Sequence, residues 1–216
     1  PASQCTMVEG SGPHLLLMGD STALALTGAL IEMAEANDLT LSIAASSGCP
    51  WQRELYFLTE RIQERCRAVK EDAYGRLLAE LDPDVVVVGL TGNIPGVDGP
   101  EAIHFDEEEL ARTTEASAVE LTAGGRALVI IEPIPKAPHD LNPLTCLSQS
   151  AVVEACRFVT PLEPLAYELL IRRLDAEVDR VHAVDLDHVV CPYRPICDPV
   201  VGDQVAWWDR QHLTVG

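Results

Sequence analysis

The 216-residue chain is short of positive charge: 15 Lys and Arg stand against 34 Asp and Glu, a formal net charge of −19 with an isoelectric point near 4.5. A surface of that sign repels phosphate backbones and anionic lipid, which argues against nucleic acid as a partner. No apolar run approaches the roughly 20 residues needed to cross a bilayer. The chain lacks an initiating Met and a secretory leader, starting at Pro1 and stopping abruptly after His212-Leu213-Thr214-Val215-Gly216. Both ends are therefore expected to lie within a longer protein. No internal repeat, low-complexity tract or linker divides the sequence, and one domain over 1–216 is the economical reading. At 47% hydrophobic residues the chain can bury a full core, and disorder is not expected.

A CxxC pair is also missing, although there are seven cysteines: Cys5, Cys49, Cys66, Cys146, Cys156, Cys191 and Cys197. Spacing alone does not fix connectivity. Local proximity suggests Cys49 with Cys66, Cys146 with Cys156 and Cys191 with Cys197, each closing a short loop and leaving Cys5 over for a partner upstream. Such bridges imply maturation in an oxidising space outside the cytoplasm. Two alternatives remain open: buried free thiols in a cytosolic protein, and a zinc site using His188, Cys191 and Cys197.

The hydrophobic pattern predicts strands at 14–19 (HLLLMG), 39–45, 84–89 (DVVVVG), 126–131 and 180–186. The third is apolar throughout its middle, as suits a strand covered on both faces. Helical patterns fall at 21–36, 52–81 and 105–122. Thr160-Pro161-Leu162-Glu163 reads as a capping box opening a last helix that runs to about Val178. Residues 133–156 read as a long loop and 187–216 as mostly irregular. Strands alternating with helices predict an α/β fold whose parallel sheet carries helices on both faces. In such sheets ligands gather at the carboxyl ends of the strands.

Three groups of residues follow those strand ends. Gly19-Asp20-Ser21 comes directly after the first strand, so Ser21 opens a helix whose N–H groups favour a developing oxyanion. The plainer reading makes Asp20, Ser21 or Thr22 an N-cap. Gly48 follows the second strand and Asn93 the third; a backbone N–H and an amide are usual oxyanion-hole donors, each worth about 3 kcal/mol of barrier. Equally, Gly48 makes a turn and Asn93 caps a loop. Asp209-Arg210-Gln211-His212 offers a base and its orienter, His212 to take the Ser21 proton and Asp209 to hold the imidazole tautomer. The same spacing recurs at Asp179/His182 and Asp185/His188. Asp179/His182 falls on a strand, where residues three apart face opposite ways; Asp185/His188 stands as the rival base pair.

This constellation resembles the SGNH hydrolase superfamily. Gly19-Asp20-Ser21 matches its first block, Gly48 its second, Asn93 its third and Asp209-x-x-His212 its last; Gly92 directly precedes Asn93, a departure from the usual Gly-x-Asn. More narrowly, the chain is similar to the C-terminal extracytoplasmic SGNH domain fused to membrane acyltransferases of the acyltransferase-three family. Ser-Gly-Cys-Pro at 47–50, the Cys146/Cys156 pair, Cys-Pro-Tyr-x-Pro-x-Cys at 191–197 and Asp-x-x-His-Leu-Thr at 209–214 carry that likeness, which spans essentially the whole chain.

The resemblance implies a three-layer α/β/α sandwich on a five-stranded parallel sheet, flavodoxin-like in order. It implies a Ser-His-Asp acyl-enzyme: nucleophile Ser21, base His212, orienter Asp209, and an oxyanion hole of Ser21, Gly48 and Asn93, with no metal or organic cofactor. The implied reaction is O-acyl, first of all O-acetyl, transfer to a cell-envelope glycan or glycolipid. The acyl group would come from an N-terminal membrane domain that tethers this one to the extracytoplasmic face of the membrane. A stand-alone carbohydrate O-acetylesterase and a non-catalytic glycan-binding or scaffolding domain are the alternatives. Trp207 and Trp208, just before the base, are candidates to wall the acceptor site or to pack in the core. The likeness also implies a short continuation, a terminal helix, past the His block.

Overall fold

The computed structural model describes residues 1–56, 60–91 and 105–214. Its strands are β1 (Thr6–Val8), β2 (His14–Gly19), β3 (Thr40–Ala45), β4 (Val85–Gly89), β5 (Ala127–Ile131), β6 (Phe158–Val159), β7 (Val181–Val184), β8 (Ile196–Cys197), β9 (Val200–Val201) and β10 (Gln204–Val205). The helices are α1 (Ser21–Ala25), α2 (Thr27–Ala36), α3 (Glu60–Asp72), α4 (Leu78–Leu81), α5 (Glu107–Thr122), α6 (Pro143–Gln149), α7 (Ala166–Glu177) and α8 (Asp187–Val190).

Among the described residues the main sheet has six strands in the order β1-β3-β2-β4-β5-β7. The five strands expected from the sequence are mutually parallel; β1 adds an antiparallel edge against β3. Three residues are too few to show a period, so β1 leaves no signal in the sequence. The parallel strands are apolar on both faces because both are covered. Leu16 and Met18 of β2 join Val86 and Val88 in a cluster under Leu77, Leu121 and Ile171. Their neighbours Leu15 and Leu17 turn the other way, onto Leu41, Val87, Ala23 and Ala34. Helices α1 and α2 thus cover one face, and α4, α5 and α7 with the turn before α4 cover the other.

Register aligns the carboxyl ends of the strands. Gly19 pairs with Ala45 and Gly89, and Gly89 with Ile131, which pairs with Val184. The strand order reverses at β2, the crevice where open α/β sheets hold ligands.

Several sequence expectations need correction. The helix expected over 21–36 breaks at Leu26, whose N–H turns back to the Ala23 carbonyl at 3.1 Å. Of the helix expected from Gln52, residues 52–56 are not helical; the described helix covers Glu60–Asp72 and is followed by a π-helical turn, Ala73–Leu77, before α4. Thr160-Pro161-Leu162-Glu163 does not open α7. That helix starts at Ala166, after Pro164, and the carboxylate that accepts the N–H of its N-cap Leu165 is Glu168. Within the expected loop lies α6, capped by Asn142 Oδ1 on the Thr145 N–H at 2.9 Å with Pro143 at its first position. Residues 187–214, read as mostly irregular, hold α8, the small β9–β10 hairpin, and β8, which pairs antiparallel with the distant β6.

Three disulfides join Cys49 to Cys66, Cys146 to Cys156 and Cys191 to Cys197. Cys5 stays free and half-buried against the larger core cluster. With Cys191 and Cys197 bonded to each other, the zinc alternative fails.

Candidate active site

The first turn of the site depends on Gly19. Its φ is +136°, and a Cβ there would meet the Gly89 carbonyl oxygen at 2.2 Å, so no other residue fits between β2 and β4. The chain then turns into α1 with Asp20 as N-cap. Asp20 is 1% exposed, and its carboxylate accepts the Thr22 N–H at 2.8 Å and the Thr91 N–H at 3.1 Å. Burial pushes this carboxyl above the usual carboxylate range, against the pull of the Thr91 and Thr22 N–H groups and of the Lys136 charge. Thr22 and Thr91 share a hydroxyl hydrogen bond of 2.7 Å.

Ser21 opens α1, partly exposed. Its Oγ lies 2.7 Å from Nε2 of His212, 191 residues away in the chain. His212 Nδ1 lies 2.7 Å from Asp209 Oδ2. The other carboxylate oxygen, Oδ1, accepts the N–H groups of Gln211 and His212, each at 2.8 Å. Burial pushes the Asp209 carboxyl up, but those two N–H groups and the imidazole outweigh it and hold it below its ordinary value. Asp209 is therefore a charged acceptor aimed at Nδ1, which sets Nε2 as the basic nitrogen facing Ser21.

A hairpin presents these two residues. Trp207 and Leu213 are antiparallel bridge partners, and the Trp208 N–H donates to the His212 carbonyl at 2.9 Å. Trp207 anchors the hairpin: fully buried, it meets the Phe158 ring edge-on at 5.1 Å and donates Nε1–H to the Pro135 carbonyl at 3.2 Å. Arg210 ties the tip to the exit of β5, donating Nε–H to the Pro138 carbonyl at 3.1 Å while its own carbonyl accepts the Ala137 N–H at 2.9 Å.

Gly48 lies in the loop that follows β3, with φ +73°. Its loop is braced from three sides: the Ser46 N–H donates to the Gly19 carbonyl at 2.9 Å, Arg65 donates to the Ser47 carbonyl, and Cys49 is bonded to Cys66 of α3. Asn93 lies outside the described residues. Its neighbour in sequence, Thr91, is held by Asp20 and by Lys136, whose Nζ donates to the Thr91 carbonyl at 2.6 Å. Burial pushes the Lys136 ammonium down to about 8, while the charges of Asp20 and Glu168 pull it back up.

The rival pairs lie elsewhere. His188 is exposed on α8, and Asp185 accepts the Asp187 N–H at 2.7 Å and pairs with Arg172 at 3.5 Å. His182 is exposed and faces Asp175 at 3.9 Å rather than Asp179. Sequence reading did not single out Thr91 or Lys136. The only trace of Lys136 is a lone cation in the Pro-rich exit of a buried strand, and its partner is a backbone carbonyl that no side-chain pattern encodes.

The model for the family described as "SGNH domain (fused to AT3 domains)" matches residues 1–215. The chain belongs to this family. No curated protein matches it by sequence. Among solved structures, this SGNH domain is similar to the periplasmic domain of a lipopolysaccharide acetyltransferase from Salmonella ser. Paratyphi A, with 17% identity, a TM-score of 0.64 and coverage of 99% of this chain and 81% of that one. It is also similar to an acetylxylan esterase from Geobacillus stearothermophilus, solved as a catalytic mutant, with 15% identity, a TM-score of 0.55 and coverage of 97% and 90%. At these identities the likeness establishes the fold: the SGNH domain is an α/β protein with a mostly parallel central sheet.

Proposed function

We propose that this SGNH domain transfers an acyl group, in the first instance acetyl, to a hydroxyl of a cell-envelope glycan or glycolipid through an acyl-enzyme on Ser21. The observation that carries the reading is the unbroken line Ser21 Oγ, His212 Nε2, His212 Nδ1, Asp209 Oδ2, with 2.7 Å at each hydrogen bond. As Oγ attacks the carbonyl carbon of an acyl donor, Nε2 takes its proton, and the charge on Asp209 stabilises the imidazolium. The Ser21 and Gly48 N–H groups and the Asn93 amide receive the oxyanion. Collapse expels the donor's leaving group with the proton from His212. The acceptor hydroxyl then gives its proton to Nε2 and attacks the acyl carbon, and the second collapse forms the new ester as His212 returns that proton to the departing Ser21 Oγ. These steps draw only on the chain's own groups.

The family's description as fused to AT3 domains supports a membrane acyltransferase partner as the acyl source, and three disulfides support an extracytoplasmic setting tethered through that partner. A domain in this position parallels the Salmonella acetyltransferase's periplasmic domain. Hydrolysis is the second reading, favoured by the partial exposure of Ser21 and His212, since water that reaches the acyl-enzyme resolves it. A non-catalytic glycan-binding role draws no support from the Ser21–His212 contact.

The test is reaction with a serine-directed phosphonate, peptide mapping, and turnover of a chromogenic acetyl ester with and without sugar acceptors. Label on Ser21, lost in Ser21→Ala together with turnover, is the expected result. Label on another residue, or equal turnover by wild type and Ser21→Ala, overturns the assignment.

A further inference from the structure

We propose that the indole of Trp208 is the platform on which the acceptor sugar stacks, so that this residue sets the balance between transfer and hydrolysis; the inference rests on the acyl-enzyme reading above. The chain has three tryptophans. Trp51 is 1% exposed and Trp207 is fully buried, whereas Trp208 is 61% exposed. An indole left in water is a large apolar area without a partner, and its location decides what it is for.

The hairpin fixes that location. Trp207 and Leu213 are opposed across it, flanked by hydrogen bonds from the Thr214 N–H to the Ala206 carbonyl and from the Trp208 N–H to the His212 carbonyl. The next pair inward is therefore Trp208 opposite His212. Side chains alternate along each arm, so Trp207 and Leu213 point into the core and Trp208 and His212 share the other face. Directly opposed residues have their Cβ atoms about 5 Å apart. The imidazole on that face meets Ser21 at 2.7 Å, and we infer that the indole lies on the same side, its backbone joined to His212 by the Trp208 N–H.

The burial of Trp207 makes the backbone under Trp208 rigid, so the platform is pre-organised. A pyranose suits it, because one face of the ring presents C–H groups to the electron-rich indole face while its edge carries hydroxyls. A sugar stacked on Trp208 brings a hydroxyl toward Nε2 of His212, where the proposed transfer needs one. The net charge of −19 favours a neutral pyranoside over an anionic acceptor.

The experiment measures the ratio of transfer to hydrolysis when a chromogenic acetyl ester is turned over with methyl pyranosides of gluco, galacto, manno and rhamno configuration. Both products come from one acyl-enzyme, so the ratio is independent of the rate of its formation. Trp208→Ala is expected to lower the ratio about tenfold and Trp208→Phe to retain part of it. Tyr193→Ala, another exposed ring, is expected to leave it unchanged. A second arm needs no turnover: in Ser21→Ala protein, a methyl pyranoside is expected to shield the exposed tryptophan from iodide quenching, an effect absent in Trp208→Phe. A Trp208→Ala ratio within twofold of wild type, or no shielding by any glycoside, overturns the proposal. So does loss of a dimer in Trp208→Ala with the ratio unchanged, which assigns the indole to self-association. Failure of the ester to turn over counts against the acyl-enzyme reading and leaves the quenching arm to decide on Trp208.

Discussion

Asp20 and Thr91 are joined by a hydrogen bond of 3.1 Å from the Thr91 N–H to a fully enclosed carboxylate, so the turn that presents Ser21 is tied to the turn after β4. Lys136 completes the tie from the exit of β5, holding the Thr91 carbonyl at 2.6 Å. Three neighbouring strand ends are thereby locked through one threonine backbone, two residues before Asn93.

In the proposed reaction Lys136 would act through Thr91, as a positioning residue. Lys136→Met is expected to lower kcat for acetyl-ester turnover at least tenfold, with KM for a small ester changed less than threefold. With an ammonium held down to about 8, wild-type kcat is expected to fall as pH rises past that value, and this alkaline limb is expected to vanish in the variant. A structural role alone would lower melting temperature and amount of active enzyme without altering the shape of the pH profile.

Asp209→Asn tests the imidazole's orientation. The amide keeps an oxygen for the Gln211 and His212 N–H groups, so the hairpin is expected to keep its thermal stability. The charge that fixes the Nδ1–H tautomer is gone, and kcat is expected to drop by about 10²- to 10⁴-fold. Because the Asp209 carboxyl is held below its ordinary range, wild-type activity between pH 5 and 8 is not expected to report its titration. Turnover and melting curves on the same preparation check both statements.

The Cys49–Cys66 bridge closes a loop with a sequence separation of 17 and fastens the Gly48 turn to α3. Chain entropy predicts about 3 kcal/mol from a loop of that size. The double variant Cys49→Ser/Cys66→Ser is expected to lose about that much in urea unfolding. It is also expected to lose turnover beyond what the unfolded fraction explains, because a proposed oxyanion donor is released. Equal loss of turnover and folded protein would separate Gly48 from catalysis.

Lys70 makes stability depend on pH. It is 4% exposed, and its ammonium donates to the Gln52 carbonyl at 2.5 Å and to the Leu55 carbonyl, pinning segment 51–56 onto α3. Burial lowers it from 10.5 to about 7, against the charge of Glu54. Between those values the unfolded chain binds the extra proton, so this group makes the folded state more stable as pH rises from about 7 toward 10.5, and contributes no slope below 7. Wild type minus Lys70→Met in urea unfolding at pH 6.5, 8 and 10 is expected to grow in favour of wild type. A flat difference would show that Lys70 has the same affinity for its proton in both states.

How far the sequence alone reached depends on the range of each signal. HLLLMG and DVVVVG announced β2 and β4, because a strand buried on both faces has to be apolar throughout. Gly19-Asp20-Ser21 was visible because a turn between two close strands tolerates nothing larger than glycine. Helix starts were less accessible: at 52–56 the tertiary hydrogen bonds of Trp51, Gln52 and Lys70 hold a turn where local pattern suggests helix. At 160–166 two prolines moved the cap to Leu165.

The sequence by itself determined the α/β class, the parallel strands and the residue types able to do acyl chemistry, since these rest on periodicity and on what each side chain is. Only the tertiary structure brought His212 to Ser21 across 191 positions, separated the buried Trp207 from the exposed Trp208, and set Lys136 on the Thr91 carbonyl. Those choices depend on register and packing between segments far apart in the chain, and on backbone carbonyls that every residue carries alike.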